Sequence, residues 1–301
     1  MFSVYRDFKE FRPRAEVCIA TYGWTAEHNL ECFLHTLEDG GRCIFLETAE
    51  GYGLLVHVYD QKGEWVLFSE PLAPENVRSI LISEFLEYAF SFGDTQTVWV
   101  ELTEKTRNEL LVRMPRAFRA RKSVETLFWP TLNLQELDPL FSGPQFKSLR
   151  NAENRFLREH TMSVVDACTQ SAASLHGVVD AWGKNRAGSD RAYRTHYQAL
   201  IADGFAGTDI AQVLLVDGKA EAFFAGWSIP TSNGFYLGVA LHSYAYWGLG
   251  EMLFLVGLRL AKEARYGFID LGGSGEALLS FKEKFGTSAQ YRTDRFSVAR
   301  R

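Results

Sequence analysis

Cysteine is scarce in this chain: Cys18, Cys32, Cys43 and Cys168 are the only four in 301 residues, and no two form a C-x-x-C pair. That excludes a disulfide framework and a thiolate zinc ribbon, and predicts reduced, mostly buried thiols in a cytoplasmic protein. Proline is also scarce, at 8 residues, and 47% of the chain is hydrophobic, which excludes a disordered segment of this length. Long apolar runs are missing. The longest, residues 252–258, is far too short to cross a bilayer, and residues 1–7 do not read as a signal peptide. Positive charge is not in excess, since 32 basic residues face 37 acidic ones for a net of −5, and a general nucleic-acid coat is excluded. The seven histidines make no H-x-x-H or H-E-x-x-H pattern, so no metal site is expected. A G-x-S-x-G elbow and a G-x-x-x-x-G-K-[ST] phosphate loop are absent, and Gly248-x-Gly250 lacks the third glycine of a dinucleotide fingerprint.

What is present points to two α+β units. The length allows two domains, predicted here at 1–135 and 136–301. Alternating apolar segments predict strands near 42–47, 53–59 and 64–69, then a helix from Glu75, a strand near 97–102, a helix over 104–113 and a strand ending before Pro130. An earlier helix is predicted over 26–38. The second half predicts a helix over 145–159, a strand near 162–167, and helices near 171–184 and 191–203. A three-stranded meander with an Asp217-Gly218 turn follows, then an apolar helix over 250–264, a strand, a short helix and a last strand near 289–298. The two layouts match without visible sequence repetition. Mostly antiparallel sheets covered by helices, meeting along a cleft, are the expected architecture.

Three places carry chemistry. The helix over 145–159 sets Lys147, Arg150, Asn154 and Arg158 along one flank, with Arg155 beside them. That flank suits a phosphate or carboxylate, and equally a solvated face beside Glu153 and Glu159. Glycine is uneven, with 8 of the 25 before residue 151, and two of the rest, Gly248 and Gly250, open the apolar helix. A helix N-terminus behind two glycines offers N–H groups to an anion, with Tyr244, Tyr246 and Trp247 able to close over it; a plain corner of the fold is the other reading. The third place is Asp270-Leu271-Gly272-Gly273-Ser274-Gly275, where a strand ends in a loop ahead of Lys282, which either turns inward or lies in water. Trp182, Lys184, Arg186, Tyr193, His196 and Tyr197 are candidate pocket walls, each also readable as packing. The cationic run Arg113, Arg116, Arg119, Arg121, Lys122 is either a landing strip for a polyanion or a soluble linker.

Gly143-Pro144-Gln145-Phe146-Lys147-Ser148-Leu149-Arg150-Asn151-Ala152-Glu153-Asn154-Arg155, followed by Gly267-Phe268-Ile269-Asp270-Leu271-Gly272-Gly273-Ser274 and Phe281-Lys282-Glu283-Lys284-Phe285-Gly286, resembles the C-terminal domain of phosphatidylglycerol lysyltransferases. Those domains resemble the FemAB peptidoglycan transferases, which take aminoacyl groups from charged tRNA. The resemblance implies a tandem pair of acyl-CoA N-acyltransferase-like (GNAT) domains. It also implies transfer of an activated acyl group to an amine or hydroxyl, with no permanently bound cofactor and no metal. Lys147, Arg150, Asn154, Arg155, Trp182, Trp247, Gly248, Gly250, Gly272 and Lys282 would then border the donor or acceptor, and Glu221, Asp270, Tyr236 and Tyr244 are candidates for moving the proton. Two departures bear on substrate. Ordinary acetyltransferases carry Gln or Arg three residues before the first glycine of the turn, where this chain has Ala245, which favours aminoacyl-tRNA over acyl-CoA as donor. The membrane-type lysyltransferases carry a transmembrane domain ahead of this region, and its absence here favours a small-molecule or peptide acceptor. A charged tRNA would meet the Arg113–Lys122 run and the Lys147–Arg158 helix. A non-catalytic ligand-binding or regulatory protein on the same fold is the alternative.

Overall fold

Short apolar strands alternate with amphipathic helices along the chain, and the computed structural model, which describes residues 2–185 and 194–301, joins the strands into one 13-stranded sheet. The first half contains β1 (Ser3–Tyr5), α1 (Phe8–Tyr22), α2 (Leu30–His35), β2 (Arg42–Glu47), β3 (Gly53–Tyr59) and β4 (Glu64–Leu67). It continues with α3 (Glu75–Ser91), β5 (Thr97–Thr103), α4 (Glu104–Arg113), β6 (Phe118–Ala120) and β7 (Glu125–Asn133). The second half contains α5 (Lys147–Glu159), β8 (Met162–Asp166), α6 (Ala172–Asn185), α7 (Arg194–Ala202), β9 (Ile210–Val216), β10 (Lys219–Ile229) and β11 (Gly234–His242). It ends with α8 (Leu249–Glu263), β12 (Phe268–Asp270), α9 (Glu276–Glu283) and β13 (Ser288–Arg300).

Local chemistry sets several boundaries. The predicted helix over 26–38 shrinks to α2 because the Asn29 side chain accepts the Cys32 N–H and starts the helix there. Helix α1 escapes the sequence pattern. Pro13 sits inside it and charge surrounds it, yet Phe11, Ala15, Cys18 and Ile19 recur at helical spacing and are buried. Strand β7 runs through Pro130, which lies opposite Ala289 next to an irregularity of register in β13. The Pro130 carbonyl still accepts the Leu271 N–H, so the missing donor costs the sheet little. The cysteines are free as expected, but Cys18 is the buried one, Cys32 and Cys43 are half-buried, and Cys168 is exposed.

Each half repeats one unit: an antiparallel meander, a helix crossing over, and a parallel strand beside the meander's last member. In the first half the meander is β2–β3–β4, the helix α3, and β5 pairs parallel to β4. In the second half β9–β10–β11 is followed by α8, and β12 pairs parallel to β11. The halves then interlock. Strand β7 pairs with β12, while β13 lies between β5 and β7. Alternation along the strands serves two layers of helix. Ile44, Leu46, Leu54 and Val56 pack with Phe85 and Leu86 of α3, whereas Phe45 and Leu55 pack with Phe11 and Phe33 of α1 and α2. In the second half Phe224 and Leu237 meet Leu253 of α8, and Phe223 and Val239 meet Val178 and Trp182 of α6. Among the described residues no helix is long and apolar enough to cross a membrane.

Candidate active site

One cavity of about 1090 Å³ runs between the halves, lined on one side by Glu27, His57, Trp99 and Glu101 and on the other by Trp182, Tyr236, Trp247, Gly248 and Gly250. Its position follows from the second parallel junction. Strand β11 and α8 are joined by a loop that turns at Gly248, whose φ of 85° is left-handed backbone that suits glycine. No side chain caps α8, and Gly248, Gly250 and Glu251 at its start lie in the cavity lining. Space at Gly250 is tight: a Cβ there would lie 3.1 Å from Nε2 of His242, whose ring would have to give by a few tenths of an ångström. The backbone at this point is therefore open to an anionic or strongly polar group.

Beside it, the loop after β12 is held by a buried lysine. Lys282 Nζ donates to the carbonyls of Leu271 and Gly272 and, at 2.8 Å, to the Ser274 hydroxyl. The residue is 4% exposed, so this ammonium organises the loop from within while bordering the cavity. Gly272, at φ 84°, packs against the ring and hydroxyl of Tyr236. Asp270 lies behind that loop, accepting the Gly272 N–H at 2.8 Å and the Tyr291 hydroxyl at 3.1 Å. Burial pushes its carboxyl up to about 6, against the pull of those two donors and of Lys282. Burial likewise holds the Tyr236 hydroxyl well above the ordinary tyrosine value, helped by the charge of Glu27. Tyr291 is held up by burial and by Asp270. At neutral pH both phenols are proton donors.

Of the residues anticipated from the sequence, Tyr236, Tyr244, Trp182, Trp247, Gly248, Gly250, Gly272 and Lys282 line this cavity. So do His196 and Tyr197, with Tyr197 edge-on to Trp182 at 5.2 Å between centroids. Arg186 and Tyr193 lie outside the described residues. Glu221 and Asp270 are not in the lining, Asp270 acting one layer behind it. Lys184, Lys147 and Asn154 are exposed and stand apart from the lining. Arg150 is turned away from the cavity: its Nη1 donates to the carbonyls of Phe141 and Gly143 and fastens the segment ahead of α5. Arg155 pairs with Glu159 at 3.0 Å and sits 4.5 Å from the centroid of Trp247, which brings it to the cavity rim. None of residues 113–122 borders the cavity; β6 within that run pairs with the end of β13.

Sequence reasoning missed Glu27, Trp99, Glu101 and Trp129, all from the first half. Trp129 stacks on Tyr291 at 5.4 Å, and its indole N–H donates to Thr293, whose hydroxyl donates to Glu101 at 2.6 Å. No local spacing marks Trp99, Glu101 and Trp129, because β13 pairs with both β5 and β7 and brings them together from distant parts of the chain, while Glu27 arrives on the loop before α2. Among the described residues Glu31, His35 and Asp203 also converge within 4.8 Å, with Glu31 paired to Arg12 at 2.6 Å. They tie α2 to α7.

The fold is that of a tandem GNAT protein. Residues 44–293 match the family described as phosphatidylglycerol lysyltransferase, C-terminal, and the chain belongs to that family. Three solved structures illustrate the likeness. L-PGS from Bacillus licheniformis is 19% identical over 98% of this chain and 92% of its own, with a TM-score of 0.67. The C-terminal domain of a putative lysylphosphatidylglycerol synthetase from Agrobacterium fabrum is 18% identical over 96% and 91%, with a TM-score of 0.66. A tandem GNAT protein from the clavulanic acid biosynthesis pathway is 12% identical over 99% and 98%, with a TM-score of 0.59. Among curated protein sequences none matches this chain.

Proposed function

We propose that this protein is an acyltransferase that moves an activated acyl group, from aminoacyl-tRNA in preference to acyl-CoA, to an amine or hydroxyl of a small-molecule or peptide acceptor. The observation that carries the reading is the cavity with an uncapped, glycine-flanked helix N-terminus at one side and a layer of proton-carrying groups beside it. Transfer of this kind needs orientation, N–H donors near the developing oxyanion and a route for one proton; it needs no covalent nucleophile. Gly248 and Gly250 supply the open backbone, Trp182 and Trp247 the walls, and Lys282 with Gly272 the rigid loop opposite. Tyr236 gives a proton to the leaving group, with Tyr291 and Asp270 behind it. Tyr244, 44% exposed and packed on His242, stands at the mouth.

Family membership supports an aminoacyl donor, as does Ala245 in place of the usual glutamine or arginine. The cationic run at 113–122 and the exposed flank of α5 are the surfaces on which a tRNA would rest, and cytoplasm is where charged tRNA is found. The test is to offer the full chain a mixture of charged tRNAs and a set of acyl-CoAs and follow products by mass. Saturable turnover with charged tRNA is the expected result. Turnover with acyl-CoA alone would overturn the donor, and neither binding nor turnover by the folded protein would overturn the reading as a whole.

A further inference from the structure

We propose that Glu27, carried into the cavity by the loop at residues 23–29 of the first half, takes the proton from the attacking group of the acceptor. The inference rests on the transfer reading above and adds to it the base that the second half alone does not provide. The loop is fastened on both sides of Glu27. Before it, the Ala26 carbonyl accepts the buried indole N–H of Trp227 at 2.8 Å, and the Gly23 carbonyl accepts the Thr231 hydroxyl at 2.7 Å. After it, His28 Nδ1 accepts the N–H groups of Trp24 and Thr25 at 2.9 and 3.1 Å. That leaves His28 Nε2–H to donate to the Glu70 carbonyl at 2.8 Å, and the Asn29 amide donates to Gly207 at 2.9 Å. Ala26 packs with Trp129 and Ile229. Between two immobilised neighbours Glu27 reaches the cavity half-buried.

It is the cavity carboxylate whose charge bears on Tyr236, and it also acts on Tyr291 and Cys32. A carboxylate from one half thus shares the cavity lining with a protonated phenol from the other, an arrangement that separates a base from an acid. In the transfer, the lone pair of the acceptor's nitrogen or oxygen forms a bond to the acyl carbon while the Glu27 carboxylate takes the proton from that atom. The bond from the acyl carbon to the donor's oxygen or sulfur breaks, and the departing atom keeps the electron pair and takes the Tyr236 proton. Glu27 then gives its proton up, and Tyr236 regains one, through solvent.

The test compares wild type, Glu27→Gln and Glu27→Asp as full chains, using the mixed charged tRNAs and acetyl-CoA as donor probes. Glu27→Gln should lower kcat about 100-fold or more with KM changed less than about threefold, and it should abolish the acid limb of the pH–rate profile. Glu27→Asp should recover part of the rate and restore that limb. Glu27→Gln with a wild-type rate and profile would overturn the proposal. A second readout needs no turnover: removing the Glu27 charge should lower the pH at which the buried tyrosines ionise, followed by ultraviolet titration. Unchanged tyrosine ionisation would overturn the placement of Glu27 even if wild type transfers nothing, an outcome that by itself counts only against the transfer reading. Should Glu27→Gln fail to fold, Glu27→Ala removes the same carboxylate and carries the same expected and overturning outcomes.

Discussion

The N-termini of α3 and α8 occupy the same place in the two halves, each following the last meander strand and crossing to a parallel neighbour, and neither has a side-chain cap, yet only that of α8 lies in the cavity lining. Ahead of α3 the chain runs Ser69-Glu70-Pro71-Leu72-Ala73-Pro74, with Leu72 bonded both ways to Gly53 and Pro74 at the N-cap. Glu70 is buried, and its oxygens receive the Thr103 N–H at 2.7 Å, the Thr103 hydroxyl at 2.6 Å and the Thr106 hydroxyl at 2.8 Å. Burial raises its carboxyl despite those donors. That carboxylate binds the start of α4, and the first turn of α3 has no residue in the cavity lining. Ahead of α8 the corresponding turn is Trp247-Gly248-Leu249-Gly250, with no capping side chain and a cavity in front of it. Duplicated architecture therefore does not mean duplicated chemistry: the first half's own junction stands outside the cavity, and that half contributes walls and carboxylates to it.

That contrast can be broken most sharply by filling the open turn. Gly250→Leu should cut donor turnover by about 100-fold or more, because its side chain enters the cavity against His242, while Glu70→Gln should leave turnover within a few-fold and cost about 1–3 kcal/mol of stability. Equal effects of the two substitutions on turnover would remove the distinction. Lys282→Met comes next. Stripping donors from the Leu271 and Gly272 carbonyls and the Ser274 hydroxyl should cost roughly 2–4 kcal/mol in chemical denaturation and loosen the loop beside Tyr236.

Buried histidines and buried carboxyls respond to pH in opposite senses. His28 and His57, both of the first half, are pushed down to about 4 by burial, from 6.5. A depressed histidine favours the folded state fully above about pH 6.5, and that contribution is lost as pH falls toward 4, roughly 3 kcal/mol for each. Stability measured from pH 7 to 4 should fall accordingly, and His28→Asn should flatten the slope. Asp270 works the other way. Its carboxyl is raised from 3.8 to about 6, so its favourable contribution is complete below about pH 3.8 and is lost as pH rises through 6. Asp270→Asn should therefore gain about 1–3 kcal/mol at pH 8 relative to wild type and gain nothing at pH 4, while slowing transfer. The smallest effect is expected at Arg150→Ala, about 1–2 kcal/mol of stability with little change in turnover, since its bonds go to the segment ahead of α5.

Much of the fold was legible because its signals are local. The β2–β3–β4 and β9–β10–β11 meanders, the turn at Asp217-Gly218 and the helices α4 and α8 follow from alternation, turn residues and apolar spacing. Helix α1 was not legible, since Pro13 and its dense charge mask a narrow buried stripe. The site divided the same way. Gly248, Gly250, Gly272 and Lys282 stand in short segments whose composition is unusual in itself. Lys147, Arg150 and Asn154 looked alike by spacing, but which flank of α5 meets the cavity depends on how that helix rolls against α8, and only Arg155 reaches the rim, through Trp247.

Scarce cysteine, scarce proline and the lack of a long apolar run determined the class of chain, and local periodicity with the two glycine-bearing turns determined the repeated α+β unit and the half that holds the open turn. Only the tertiary structure decided that β7 and β13 interlock the halves, that Glu70 is buried against the start of α4, and that Glu27 and Tyr236 line one cavity. The physical reason is reach. Turn and helix preferences act over a few residues, whereas the cavity is made by contacts between residues such as 26 and 227 or 101 and 293, which nothing along the chain records.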